Sequence, residues 1–119
     1  MPTSVVVVAG EDATRARLAA LLTGDWAVTT ATPDSLPAEM PNIFIIALPG
    51  LETPEEQVIE RLRADDQTAN TPIIIVSALP MVHLQSVPYA SDWTIAIVEE
   101  PVQAAVLADT AQFLLNPEG

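Results

Sequence analysis

Residues 41–50 read PNIFIIALPG, an apolar run of strand length closed by a turn signal. Residues 43–48 contain no polar side chain and are rich in β-branched types, the pattern of a strand buried on both faces at the centre of a parallel sheet. Pro49 and Gly50 end it. In open α/β sheets the working crevice lies beyond the carboxyl ends of the strands, so Ala47, Leu48 and the Pro-Gly turn stand where chemistry is expected. What the chain offers there is a methyl group, and no Asp or Glu lies between Asn42 and Leu51.

Outward from this strand the chain alternates between two periodicities. Residues 5–8 are four consecutive valines and predict a buried strand. The next residues turn into a helix over 13–22, with Asp12 as N-cap, Leu18, Leu21 and Leu22 on its apolar face, and Gly24 just past its end. Residues 26–31 alternate as a second strand. Residues 32–41 carry three prolines in ten positions and hold at most a turn or two of helix. Beyond the central strand, Thr53 is placed as N-cap, Pro54 at the first helical position, and Glu55 and Glu56 at the positive end of the helix dipole. Val58, Ile59 and Leu62 form the buried face of that helix, which fades by Asp66. A fourth apolar strand covers 72–77, and a short or distorted helix interrupted by Pro80 and Pro88 covers 79–92. A fifth strand covers 94–98, and a last helix runs over 101–115 with Pro101 at N1. Five strands alternating with helices predict a doubly wound parallel α/β sheet in three layers. The 119 residues are read as one domain with no repeat and no linker.

Composition narrows the function classes. Half the residues are apolar and 17% are charged, which describes a globular chain that buries a core without disulfides. Cysteine is absent, which removes thiolate metal sites and thiol nucleophiles together. Sixteen acids face four arginines and no lysine, and a net charge of −12 repels nucleic acid and anionic membrane surfaces. Apolar runs are too short to span a bilayer, and the N-terminus has neither the basic flank nor the long apolar stretch of a signal peptide. The expectation is a cytoplasmic protein.

Five segments then fall into one frame: residues 5–18 (VVVVAGEDATRARL), 41–50 (PNIFIIALPG), 62–65 (LRAD), 72–78 (PIIIVSA) and 98–102 (VEEPV). In order and spacing over nearly the whole chain they resemble a response-regulator receiver domain. The resemblance implies a flavodoxin-like sandwich with strand order 2-1-3-4-5, here with shortened second and fourth helices. Carried over position by position, it also takes the phosphorylation site apart. The two metal-binding acids of the family fall on Ala9 and Gly10, the phosphorylated Asp on Ala47, the Lys on Glu100, and the aromatic switch residue on Ile97. Only Ser77 matches in type. Phosphoryl transfer to a receiver needs a carboxylate nucleophile, a hard divalent cation held by oxygen ligands, and a cation on the phosphoryl oxygens. Ala47 supplies no nucleophile, and Glu100 puts a negative charge where the phosphate needs a positive one. The chain thus resembles the pseudo-receiver subset. The implied role is a non-enzymatic, bacterial, two-component signalling module without cofactor. It would act by contact with another signalling protein or domain, such as a histidine kinase or an output domain.

Two other classes stand beside that one. Glu11, Asp12 and Glu100 approach one rim of such a fold and suit Mg²⁺ or Ca²⁺, which would make a metal-binding or hydrolytic site. A flavodoxin-like cofactor binder needs a glycine-rich cradle of N–H groups, and residues 9–12 present two carboxylates instead. Plain readings cover the remaining polar residues. A strand-end hydroxyl such as Ser77 is satisfied by neighbouring backbone. His83 has no partner at ligand spacing, and Trp26 and Trp93 flank strands as core or rim. The four arginines are expected in surface pairs with Glu60, Asp65 and similar neighbours.

The last helix is unusual. Ala104, Leu107, Ala111 and Leu114 recur at spacings of three and four and are expected to face the sheet. Val102, Val106, Asp109 and Phe113 form a second stripe off that face, and Asp109 is the only charge from 101 to 115. An apolar stripe on a helix exterior marks a contact surface for a partner or for a second copy in a homodimer. Val102, Val106 and Phe113 are its expected anchors.

Overall fold

The central strand forms on the decisive segment: β3 (Ile43–Ala47) is buried along its whole length, and Leu48 behind it is buried too. Four further strands, β1 (Thr3–Val8), β2 (Trp26–Ala31), β4 (Ile73–Ser77) and β5 (Ile95–Glu99), join it in one parallel sheet of order β2-β1-β3-β4-β5. This computed structural model describes residues 3–22, 26–36, 41–50, 53–79, 94–100 and 102–115. Successive side chains of a strand point to opposite faces, so the valine run of β1 divides between two cores. Val5 and Val7 pack with Ile43, Ile45, Ile74 and Val76 beneath α1 (Asp12–Leu21) and α3 (Ala104–Leu115), through Leu18, Leu107 and Ala111. Val6 and Val8 pack with Phe44, Ile46, Ile73 and Ile75 beneath α2 (Pro54–Ala64), through Val58, Ile59 and Leu62. The three layers and the strand order are those the sequence predicts.

Element ends depart from expectation in ways that have local causes. Helix α1 begins one residue early, with Glu11 at the N-cap and no side-chain cap bond. Asp12 is therefore not the cap but a first-turn acid, and its carboxylate pairs with Arg15 one turn on. An acid at N1 is favoured by the helix dipole, and a basic residue three positions later keeps it there. The expected C′ residue, Gly24, lies outside the described residues. Helix α2 starts as read: the Thr53 hydroxyl accepts from the Glu56 N–H at 3.4 Å and donates to the Gly50 carbonyl at 2.8 Å, with Pro54 following it. Helix α3 begins at Ala104, three residues later than expected, where the Gln103 carbonyl accepts from the Leu107 N–H at 3.0 Å. Strand β4 begins at Ile73 and β5 is shifted by one residue toward the C-terminus. Residues 32–36 make a turn closed by a bridge between Thr32 and Ser35. The distorted helix expected over 79–92, with His83 and Trp93, lies outside the described residues apart from Leu79.

Arg15 and Arg17 pair with acids, Asp12 and Glu100, as expected of surface arginines, whereas Arg61 and Arg63 bond to backbone carbonyls. Arg61 donates to the Pro33 carbonyl at 2.9 Å, tying α2 to the turn after β2. Arg63 donates to the Thr68 carbonyl at 2.9 Å and to the Thr94 hydroxyl at 2.6 Å, tying the end of α2 to the start of β5. A guanidinium carries five donors on a long stem, and carbonyls left at element ends are acceptors it can reach. Asn42 works in the same way at the foot of the sheet. Its Oδ1 accepts from both the N–H and the hydroxyl of Ser4 at 2.9 Å, and its own N–H donates to the Ser4 carbonyl at 3.0 Å. This fixes the register of β1 against β3 before the buried pairs begin.

Candidate functional site

The carboxyl ends of β1, β3, β4 and β5 surround a cleft of about 270 Å³. Its floor is formed by Ala9 and Gly10 after β1, Ala47 and Leu48 at the end of β3, and Val76 in β4. Glu11 and Thr14 from the start of α1, Pro49, Glu55 from the first turn of α2, Ala78 and Glu100 complete the wall. The topology explains why these residues meet. Strands β1 and β3 lie side by side, and the crossovers that leave them, through α1 and α2, go to opposite faces, so a crevice opens at the β1/β3 switch point. Ala9, Gly10, Ala47 and Glu100 therefore gather in one place, as the sequence positions require. Their chemistry is methyl, hydrogen, methyl and carboxylate.

Ser77 does not line this cleft. Its side chain is 1% exposed, its Oγ donates to the Leu48 carbonyl at 2.8 Å, and it accepts from the Leu79 N–H at 3.1 Å. The hydroxyl thus closes the backbone between the ends of β3 and β4. Ile97, at the position of the aromatic switch, is half-buried against the core on the α2 side. It has no polar group to move.

Electrostatics around the cleft are set by three carboxylates. Glu100 is held by an ion pair with Arg17 of α1, so the charge at this position is met from outside the cleft. Arg15, whose side chain is 16% exposed, donates to the Ala9 carbonyl at 2.6 Å while it pairs with Asp12. Asp12 is turned to solvent and does not reach the cleft, so Glu11, Asp12 and Glu100 are not brought together as the metal reading requires. Among the described residues no group of three or more His, Cys, Asp or Glu side chains is placed to hold a metal ion.

The residue that the sequence reading missed is Glu55. Only 7% exposed, it reaches from the first turn of α2 into the cleft. A methyl group added to Gly10 would come within 2.6 Å of its Oε1. Glu55 had been legible only as a dipole-facing acid, because its neighbour Glu56 fits the same description. Among the described residues its carboxylate makes no hydrogen bond or ion pair, and its oxygens keep contact with the solvent of the cleft.

On α3, Leu107 and Ala111 are fully buried, and Leu114 is half-buried against the same core. Ala104, expected to face the sheet, is exposed at the first residue of the helix. Val102 also departs from expectation: it is half-buried and packs against the core beneath α3, so it does not share the outer stripe. Val106 at 43% and Phe113 at 66% are the exposed large apolar side chains among the described residues. No helix of the described residues is long and apolar enough to cross a membrane.

No family model matches the chain, and no curated protein does. Solved structures do. The receiver domain of a signal transduction histidine kinase from Syntrophus aciditrophicus superposes with a TM-score of 0.78 at 18% identity, covering 98% of this chain and 92% of that one. The receiver domain of a sensor histidine kinase from Pseudomonas aeruginosa PAO1, which carries a magnesium ion in its active-site cleft, gives 0.79 at 13% identity over 98% and 99%. A CheY-like response regulator receiver domain protein from Methanospirillum hungatei JF-1 gives 0.73 at 13% identity over 98% and 96%. The chain has the fold of these receiver domains.

Proposed function

We propose that this chain is a receiver-like signalling module that does no phosphoryl chemistry and acts by binding another protein. The observation that carries this reading is Ala47. It sits at the carboxyl end of the central strand, inside the cleft, where a receiver needs a nucleophilic carboxylate. Gly10 and Ala9 offer no metal ligands beside it, and Glu100 and Glu55 give the cleft the charge of the phosphate it would have to accept. Regulation then rests on the population of partner complexes. The Ser77 hydroxyl is engaged in backbone bonds and Ile97 has no polar tip, so the coupling of a hydroxyl to an aromatic residue has no counterpart.

The expected partner is another signalling protein or domain, such as a histidine kinase or an output domain, or a second copy in a homodimer, met in the cytoplasm. Val106 and Phe113 on α3 supply an apolar patch for that contact. The test of the chemistry is incubation with acetyl phosphate, or with beryllofluoride, in the presence of Mg²⁺. Intact mass and amide spectra should be unchanged, and saturable shifts around Ala47 and Ser77 would overturn the reading.

A further inference from the structure

The cleft at the carboxyl edge is not simply a site that has lost its chemistry, because one of its walls carries a side chain with no bonding partner. Glu55 is more than nine-tenths buried, points into the cleft, and has no hydrogen bond or ion pair among the described residues. A carboxylate so placed meets water only through the cleft, and a cation that enters there can pair with it. From this geometry we infer that the cleft is a receptor for the guanidinium group of an arginine side chain presented by a partner protein.

Four observations select that ligand. First, no lysine or arginine of the chain itself meets this carboxylate. The chain has no lysine, and each of its four arginines is already committed: Arg15 to the Ala9 carbonyl and Asp12, Arg17 to Glu100, Arg61 to the Pro33 carbonyl, and Arg63 to Thr68 and Thr94. Second, a metal ion needs several ligand atoms at short range, and no cluster of that kind is present among the described residues. A guanidinium spreads its charge over five donors and is satisfied by acceptors farther apart.

Third, the walls fit a basic side chain. Ala9, Ala47, Val76 and Ala78 line the cleft together with Glu55. Apolar groups beside three acids, Glu11, Glu55 and the Arg17-paired Glu100, complement an aliphatic stem tipped by charge, and guanidinium is hydrated weakly enough to enter such a place. Fourth, the volume of about 270 Å³ admits a side chain but falls below the range of about 300–1,000 Å³ usual for small-molecule and cofactor sites. The net charge of −12 steers a basic partner toward the chain as a whole.

The inference deepens the proposal of a protein-binding module and rests on it for the source of the arginine. The probe is N-acetyl-arginine methylamide, titrated into the isotope-labelled full chain, so that the site is tested without the partner. Saturable amide shifts are expected at Gly10, Glu11, Ala47 and Ala78. The neutral N-acetyl-norleucine methylamide should give none. Glu55→Gln should weaken binding about tenfold or more, the size expected for losing a charge-assisted hydrogen-bonded pair. Glu60→Gln, which removes the same charge from the exposed side of α2, should leave binding unchanged. If Glu55→Gln does not fold, Gly10→Ala displaces the same carboxylate from the opposite wall and replaces it in the comparison.

Absence of saturable shifts in the native chain would overturn the inference while leaving the absence of phosphorylation intact. Equal losses in Glu55→Gln and Glu60→Gln would also overturn it, since they would reduce the effect to net charge. Competition by Mg²⁺ at the same amides would reassign the site to a metal, and tighter binding of the lysine analogue would remove guanidinium as the ligand.

Discussion

Glu55 reaches so far over Gly10 that a methyl group on Gly10 would stand 2.6 Å from the glutamate Oε1. That separation is below van der Waals contact, so one of the two has to give. The carboxylate is the free end of a flexible side chain, whereas Gly10 sits on backbone fixed by the end of β1. Gly10→Ala is therefore expected to move Glu55 at little cost, with a change in stability of no more than about 1 kcal/mol in chemical denaturation. Affinity for the arginine amide should fall in the same variant. A loss of several kcal/mol would mean that the carboxylate cannot leave its place, and that the approach is part of the core.

Supplying a carboxylate at position 47 alone is not expected to make the chain accept a phosphoryl group. In Ala47→Asp the new carboxylate enters a cleft that already holds Glu55 and is bordered by Glu100, which faces Arg17. Like charges around the acceptor disfavour a phosphoryl group, and no acid on Ala9 or Gly10 holds the divalent cation. With acetyl phosphate and Mg²⁺ the variant should show no phosphoryl adduct in intact mass. Adduct formation in this single variant would show that the surrounding carboxylates do not prevent phosphoryl transfer.

The elements buried on both faces were the most legible in the sequence. Residues 43–47 and 73–77 are apolar runs of strand length bounded by turn signals, so they fix the centre of the sheet, and the alternating helices fix its parallel sense. What was not legible lies at the surface of the elements. Asp12 and Glu11 differ by one residue as caps, and the choice turns on an ion pair with Arg15 that spacing alone does not rank. Val102 looked equivalent to Val106 on a helical projection, but the helix starts only at Ala104, so Val102 obeys no helical period and folds under it. Glu55 and Glu56 are adjacent and alike; only the direction of α2 against the sheet makes one of them buried.

Ser77 has more to lose than its place in the family frame suggests. Its Oγ satisfies a carbonyl at Leu48 and an N–H at Leu79, in a position 1% exposed. Ser77→Ala leaves both backbone groups short of a partner, which costs about 1–3 kcal/mol when such groups are buried. Thermal or denaturant unfolding should register that loss. Affinity for the arginine amide should be unchanged, because the hydroxyl does not line the cleft; a parallel loss of affinity would place Ser77 in the binding site.

The outer stripe of α3 gives the final expectation. Val106 and Phe113 are seven residues apart, two turns or roughly 10 Å along the axis, and so lie on one side of the helix. At 43% and 66% exposure they contribute little to the core, which Leu107 and Ala111 fill from the opposite side. Asp109 between them is the only charge on the helix, and a chain of net charge −12 meets a second copy with least repulsion where charge is sparse. Burial of both side chains against a partner contributes a few kcal/mol by area transfer before the costs of association. Val106→Glu/Phe113→Glu should therefore keep its fold by circular dichroism, with stability within about 1 kcal/mol as for other exposed positions. Its self-association or partner binding, followed by sedimentation and by titration, should be lost. Unfolding of the double variant would make the stripe part of the core, and normal association in a folded variant would place the contact elsewhere on the molecule.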